Sequence, residues 1–336
     1  MTMSLRETVA VTDEAAAPWI RQAKNTEPDP RFARPDRLFF GIGAEKSGTS
    51  WLHNYLSGHP DVHFPRYEKE LHYWSSALRG PKLPELLSRQ MPRGPLRSFL
   101  GSVARPGKNL WRIRKNRFLR RWYKAFTEES PTQSVYCDVL FWGYRNQKVA
   151  GEITPAYARC NEETLAEMAA LAPDVRFIFI MRDPVSRLWS GCRHQLRRKL
   201  GRDDTTTDAV AKRVLSCLGE ASEIDRYGKV AFEASSYDLT IRHLENVVSP
   251  DKIAYFFYET MFQQSEIDRL CAFLGIESVP AAVDKKVHVG ADASGGMPLD
   301  VAIKARQALA QTYDFCEAKF GTLPPEWQED PTGRDA

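Results

Sequence analysis

Short apolar runs alternate along this chain with stretches of helical period. Leu38–Gly43 reads as a strand, and Thr49–Ser57 as the helix after it. The segment Gly58-His59-Pro60-Asp61-Val62-His63-Phe64-Pro65 is a turn into a short strand. Val149–Glu152, Phe177–Met181 and Lys252–Tyr258 are further strands. Helical patterning covers Asn161–Leu171, about 207–227, about 235–248, Ser265–Leu274 with Gly275 at its end, and about Leu299–Phe320. Apolar strands alternating with helices predict an α/β fold, a central parallel sheet with helices on both faces. Ligands of such sheets bind beyond the carboxyl ends of the strands.

One stretch breaks the pattern. Residues 86–127 hold twelve basic residues and no acidic one, with Pro92, Gly94, Pro95, Pro106 and Gly107 interrupting the first half. Leu110–Phe126 reads as a basic helix whose apolar side is Trp111, Phe118, Leu119 and Trp122. Such an insertion either closes over an active site or docks something acidic, such as a carrier protein, an anionic glycan or a phosphorylated small molecule. The expected organisation is an N-terminal arm over 1–37, one domain over 38–325 containing the basic insertion, and a tail over 326–336.

Bulk properties narrow the class. The 336 residues are 43% hydrophobic, enough for one large α/β domain. A formal net charge of +4 does not mark a general polyanion binder. The basic segment comes with no nucleic-acid-binding module, so nucleic acid is not an expected partner. Six scattered cysteines without a C-x-x-C pair point to reduced core thiols and not to a zinc site. No apolar run approaches the ~20 residues of a bilayer span, and residues 1–37 do not read as a signal peptide. A cytoplasmic location is expected.

Two segments carry chemistry. Strand Leu38–Gly43 runs into Ala44-Glu45-Lys46-Ser47-Gly48-Thr49-Ser50, a glycine-containing loop that opens a helix. Unpaired amides and the dipole at a helix start favour phosphate. An NTP-hydrolysing loop needs lysine directly after the second glycine of G-x-x-x-x-G-K-[ST]. Here Thr49 follows Gly48, and the lysine is Lys46, inside the loop. That spacing suits a shorter 5′ anionic group held without a metal. In the second segment, strand Phe177–Met181 ends at Arg182, and Asp183-Pro184 leads into a helix carrying Arg187 and Ser190. A strand-end guanidinium with a hydroxyl on the next helix suits a second phosphate.

The first segment resembles the 5′-phosphosulfate loop of sulfotransferases that use 3′-phosphoadenosine 5′-phosphosulfate (PAPS). The second resembles their 3′-phosphate motif with one inserted acidic residue. Lys69-Glu70-Leu71-His72-Tyr73-Trp74, Gly151-Glu152-Ile153-Thr154-Pro155-Ala156-Tyr157 and Ile253–Thr260 resemble three further segments of the heparan-sulfate-type enzymes and their bacterial relatives. The resemblance spans about residues 38–275. Ile153 stands where those enzymes have a lysine serving an anionic substrate, which argues against heparan sulfate as acceptor.

The resemblance implies a P-loop-like three-layer fold and metal-free, in-line transfer of a sulfuryl group to a hydroxyl of a small molecule or sugar, releasing 3′,5′-ADP. It places Lys46, Ser47, Gly48, Thr49 and Ser50 at the 5′ end of PAPS, with Lys46 on the bridging oxygen, and Arg182 and Ser190 at the 3′-phosphate. Glu70 is the first choice as base and His72 the second. Two apart on an extended segment, they share a face, so that one orients the other. The competing readings are a kinase-like P-loop enzyme using ATP and a catalytically inactive nucleotide-binding or scaffold protein.

Overall fold

The computed structural model describes residues 27–75, 115, 117–122, 133–201, 205–219, 224–281 and 296–328. Five strands form one sheet: β1 (Arg37–Gly43), β2 (Val62–His63), β3 (Val149–Ile153), β4 (Val175–Met181) and β5 (Ile253–Phe257). Their order is β2-β3-β1-β4-β5, and every neighbouring pair is parallel. The α/β expectation is met.

Besides a helical stretch over 117–122, eleven α-helices are described. They are α1 (Thr49–Ser57), α2 (Gln133–Leu140), α3 (Glu162–Ala169), α4 (Pro184–Leu200), α5 (Thr207–Cys217) and α6 (Arg226–Glu233), then α7 (Tyr237–Glu245), α8 (Gln264–Leu274), α9 (Leu299–Ala308), α10 (Ala310–Phe320) and the short α11 (Pro325–Gln328).

Alternation along the strands sorts the core into two layers. Phe39 of β1 and Ile178 and Ile180 of β4 pack with Trp51, Leu52 and Leu56 of α1 and with Ile267, Leu270 and Leu274 of α8. Leu38, Phe40, Phe177 and Phe179 face the other way, toward Leu165 of α3, Leu188 of α4 and Tyr237 of α7. A parallel sheet buried on both faces reads as continuous apolar runs, which is why β1 and β4 stood out in the sequence.

Several boundaries differ from the pattern. The helix expected over 207–227 stops at Cys217, and a second begins at Arg226, where Asp225 caps the Gly228 amide at 2.7 Å. The last helix breaks at Leu309 (φ −102°, ψ 6°) into α9 and α10. Helix α2 was not anticipated. Phe32, in the expected arm, is fully buried and lies 5.9 Å from the Tyr136 ring. Trp327, in the expected tail, is 1% exposed in the core. Within the basic segment, Phe118, Leu119 and Trp122 are buried as the apolar side of the helix, while Arg117, Arg120 and Arg121 line a groove with Phe141 and Trp142. The remainder of that segment lies largely outside the described residues. All six cysteines are buried, and none forms a disulfide.

Candidate active site

The loop between β1 and α1 curls at the carboxyl end of the central strand. Lys46 (φ +71°) and Gly48 (φ +84°) both adopt left-handed backbone, and such alternation makes an anion-binding concavity of amides. The Ala44 amide donates to Ile180 O at 2.6 Å and the Ser47 amide to Ala44 O at 3.2 Å. The amides of Gly48, Thr49 and Ser50 bond to no carbonyl among the described residues. The Ser47 hydroxyl is fully buried and likewise has no partner among them. A buried hydroxyl without a partner is costly, about 1–3 kcal/mol, unless a ligand bonds it.

Arg182 ends the neighbouring strand β4, and Asp183 caps α4 by accepting from the Ser186 amide at 2.7 Å. Tyr313 donates to Asp183, and Glu259 accepts from the Asp183 amide at 2.9 Å, so the strand-to-helix corner is held from two sides. The Arg182 guanidinium lies 4.9 Å from the centre of the Tyr258 ring. The same ring backs onto Gly48: a Cβ on Gly48 would sit 3.0 Å from Tyr258 Cδ2 and 3.2 Å from Met261 Sδ. Tyr258 therefore forms a wall common to the loop and the strand-end arginine.

Arg187, which the sequence reading left without a role, is a structural brace. It is 1% exposed and donates to Ser235 Oγ (2.5 Å), to the Ala231 carbonyl and to the Glu45 carbonyl (3.4 Å). It braces the loop from beneath. Ser190, three residues on, is also buried on α4.

The charges converge. Burial pushes the Lys46 ammonium below its ordinary pKa; Glu45 opposes this, and the positive field of Arg182, Arg193 and Arg187 adds to it. His194, one turn beyond Ser190 on α4, is likewise lowered, by burial first and by Lys46 next, with Glu45 and Glu70 opposing. A cluster of cations with few acids among them is suited to a polyanionic ligand.

Glu70 and His72 approach each other as expected, with His72 Nε2 3.3 Å from Glu70 Oε2. Burial raises the Glu70 pKa, but the His72 hydrogen bond and Lys69 outweigh it, and the carboxyl is held below its ordinary value. His72 also meets Ser75 Oγ through Nδ1 at 3.4 Å. The sequence reading passed over Lys69. Its Nζ lies 3.2 Å from Glu70 Oε1, 3.3 Å from Thr49 Oγ1 and 3.4 Å from Ser50 Oγ, joining the phosphate loop to the Glu70 carboxylate. Its position directly before Glu70 was the available signal. Among the described residues no group of His, Cys, Asp and Glu is arranged to hold a metal ion.

This geometry agrees with the comparisons. Residues 39–280 match the Sulfotransferase family. The chain belongs to that family. A sulfotransferase from Alicyclobacillus acidocaldarius shares 22% identity at a TM-score of 0.59, over 88% of this chain and 100% of the other. The sulfotransferase domain of the Synechococcus PCC 7002 olefin synthase shares 17% identity at a TM-score of 0.50, over 90% and 99%. Both likenesses are of fold. No curated protein matches the sequence significantly. In this sulfotransferase the β1–α1 loop, the strand-end Arg182 and the Glu70–His72 pair lie toward the carboxyl edge of one parallel sheet. No helix of the described residues is long and apolar enough to cross a membrane.

Proposed function

We propose that this sulfotransferase takes PAPS as donor and sulfates a hydroxyl of a small-molecule or carbohydrate acceptor, anionic or carrier-bound acceptors included, in a cytoplasmic setting. The observation that carries the reading is Tyr258, whose ring lies against both Gly48 and Arg182. One nucleotide with phosphate at both ends fits cradles that share a wall. The buried Ser47 hydroxyl and the Lys46–Arg182 cluster supply the matching donors and charge.

PAPS supplies the sulfuryl group and a 3′,5′-ADP leaving group. The amides of Gly48, Thr49 and Ser50, with the Ser47 hydroxyl, hold the 5′ end. Lys46 neutralises the charge that grows on the bridging oxygen, and a preorganised donor of this kind is worth about 3–4 kcal/mol of barrier. Arg182 and Ser190 hold the 3′-phosphate. The Glu70 carboxylate takes the acceptor's proton, and His72 orients it; a positioned base contributes roughly 10²–10⁴-fold. Lys69 keeps Glu70 ionised and aligned with the loop.

Ligand-dependent thermal stability tests the reading. 3′,5′-ADP should raise the Tm far more than 5′-ADP with Mg²⁺, and the reverse order points to an ATP-using enzyme. A mass-spectrometric screen of hydroxyl compounds with PAPS then seeks a gain of about 80 Da, the mass of SO₃; nucleotide binding without any such gain across glycans, phenols and alcohols supports an inactive binding protein.

A further inference from the structure

Glu152 is a fully buried carboxylate near the end of β3, opposite Phe40 of β1. It makes no ion pair with a lysine or arginine among the described residues. Its two oxygens accept from four donors instead: Tyr136 Oη (2.5 Å) and Tyr157 Oη (3.0 Å) on Oε1, Thr154 Oγ1 (2.8 Å) and the Leu71 amide (3.0 Å) on Oε2. Burial raises its pKa, and these bonds oppose the rise. An isolated buried carboxyl is far more costly than an apolar filler. The four donors explain how the fold tolerates it, and they leave open what it is for.

The informative donor is the one that belongs to the main chain. Leu71 stands between Glu70 and His72. Its carbonyl accepts from Trp122 Nε1 at 3.1 Å, so side chains take both polar atoms of this residue. Nearby, the Trp74 amide lies 3.4 Å from Tyr157 Oη, which extends the same network. Residues 69–75 have no strand or helix ladder to fix them. His72 also sits at φ +55°, a left-handed conformation that a non-glycine residue holds only where its surroundings enforce it.

We infer that Glu152 and Trp122 clamp the Leu71 peptide from its two sides and so position the Glu70–His72 pair against the phosphate loop. The inference rests on the proposed reading of Glu70 and His72 as base and orienter. Both clamp members are positioning residues. Trp122 also gives the basic segment a defined role: its described helix supplies half of the clamp.

The test compares full-length wild type with Glu152→Gln and Trp122→Phe. Gln brings one acceptor oxygen where two served four donors. Phe keeps an aromatic ring at 122, though a smaller one, and removes the N–H. Three quantities are read: deuterium exchange of peptides covering 69–75 with 3′,5′-ADP bound, the affinity for 3′,5′-ADP, and release of 3′,5′-ADP from PAPS with 4-nitrophenol as the hydroxyl probe. The expected result is exchange at 69–75 faster by about tenfold or more and turnover slower by about tenfold, with 3′,5′-ADP affinity within about threefold of wild type. That split separates positioning from general loss of structure. The exchange arm needs no acceptor, so it decides alone should 4-nitrophenol not turn over, and Trp122→Phe decides should Glu152→Gln not fold. Wild-type exchange and turnover in the variants, beside a slowed Glu70→Gln, overturn the clamp and leave the base reading intact. Wild-type turnover in both Glu70→Gln and His72→Ala sinks the base reading, and the clamp's purpose with it.

Discussion

The ring of Tyr258 lies 4.9 Å from the Arg182 guanidinium and against Gly48, so the two proposed anion cradles are neighbours across a single side chain. A Cβ at Gly48 meets Tyr258 and Met261 at 3.0 and 3.2 Å, on a backbone (φ +84°) that L side chains rarely adopt. Gly48→Ala is expected to weaken 3′,5′-ADP binding at least tenfold by calorimetry. An unchanged affinity would show that the loop holds no phosphate.

Arg182 should matter for only one end of the nucleotide. Arg182→Ala is expected to lower affinity for 3′,5′-ADP by about 10–100-fold, the worth of a charge-assisted contact. Affinity for 5′-AMP, which lacks the 3′-phosphate, should change by less than about threefold. Equal losses for both ligands would place Arg182 elsewhere on the nucleotide.

The pH profile of turnover identifies the base. Glu70 is held below its ordinary carboxylate pKa, so it is ionised throughout the neutral range. With Glu70 as base, turnover stays level from neutral pH downward and its acid limb falls below about pH 4.5. A limb near or above pH 6, where imidazoles titrate, would transfer the role to a histidine.

Lys69 has a prediction of opposite sign. Lys69→Met removes a cation 3.2 Å from Glu70 Oε1, which raises the Glu70 pKa. The acid limb should move to higher pH, and turnover should fall about tenfold or more because the link to Thr49 and Ser50 is lost. An unmoved limb would mean that Lys69 does not tune the base.

Away from the site, Asp174 joins the beginnings of β1 and β4. It accepts from Arg37 Nε at 2.8 Å and from Arg176 Nε at 3.0 Å. Burial raises its pKa, but Arg176 and Arg37 together outweigh this and hold it low. A lowered carboxylate stabilises the fold above its unfolded pKa, and that stability is lost as pH falls through the folded value. Asp174→Asn should cost about 1 kcal/mol at pH 7, as partly exposed pairs do, or about 1–2 °C in Tm for a chain of this size. The difference from wild type should close below about pH 4; a gap that persists there assigns the loss to packing.

The order of residues already contained the β1–α1 loop, the Arg182 corner, the helix starts at Thr49 and Pro184, and the parallel sheet. These are local: a strand, a turn and a helix start are set by contiguous residues, and β1 and β4 announce themselves as apolar runs because both faces are buried. Glu70 and His72 could be paired for the same reason, lying two apart. The break after Cys217 and the bend at Leu309 escaped notice because continuous apolar periodicity masks a local interruption. Tyr258 as the shared wall, Arg187 as the buried brace beneath Glu45, Lys69 as the bridge to Thr49 and Ser50, and the grip of Glu152 and Trp122 on Leu71 became visible with the fold. Each of these joins segments that chain order keeps apart. Their contacts follow from the strand order β2-β3-β1-β4-β5, which brings the carboxyl ends of β1, β3 and β4 to one edge, and no local pattern of polar and apolar residues encodes that order.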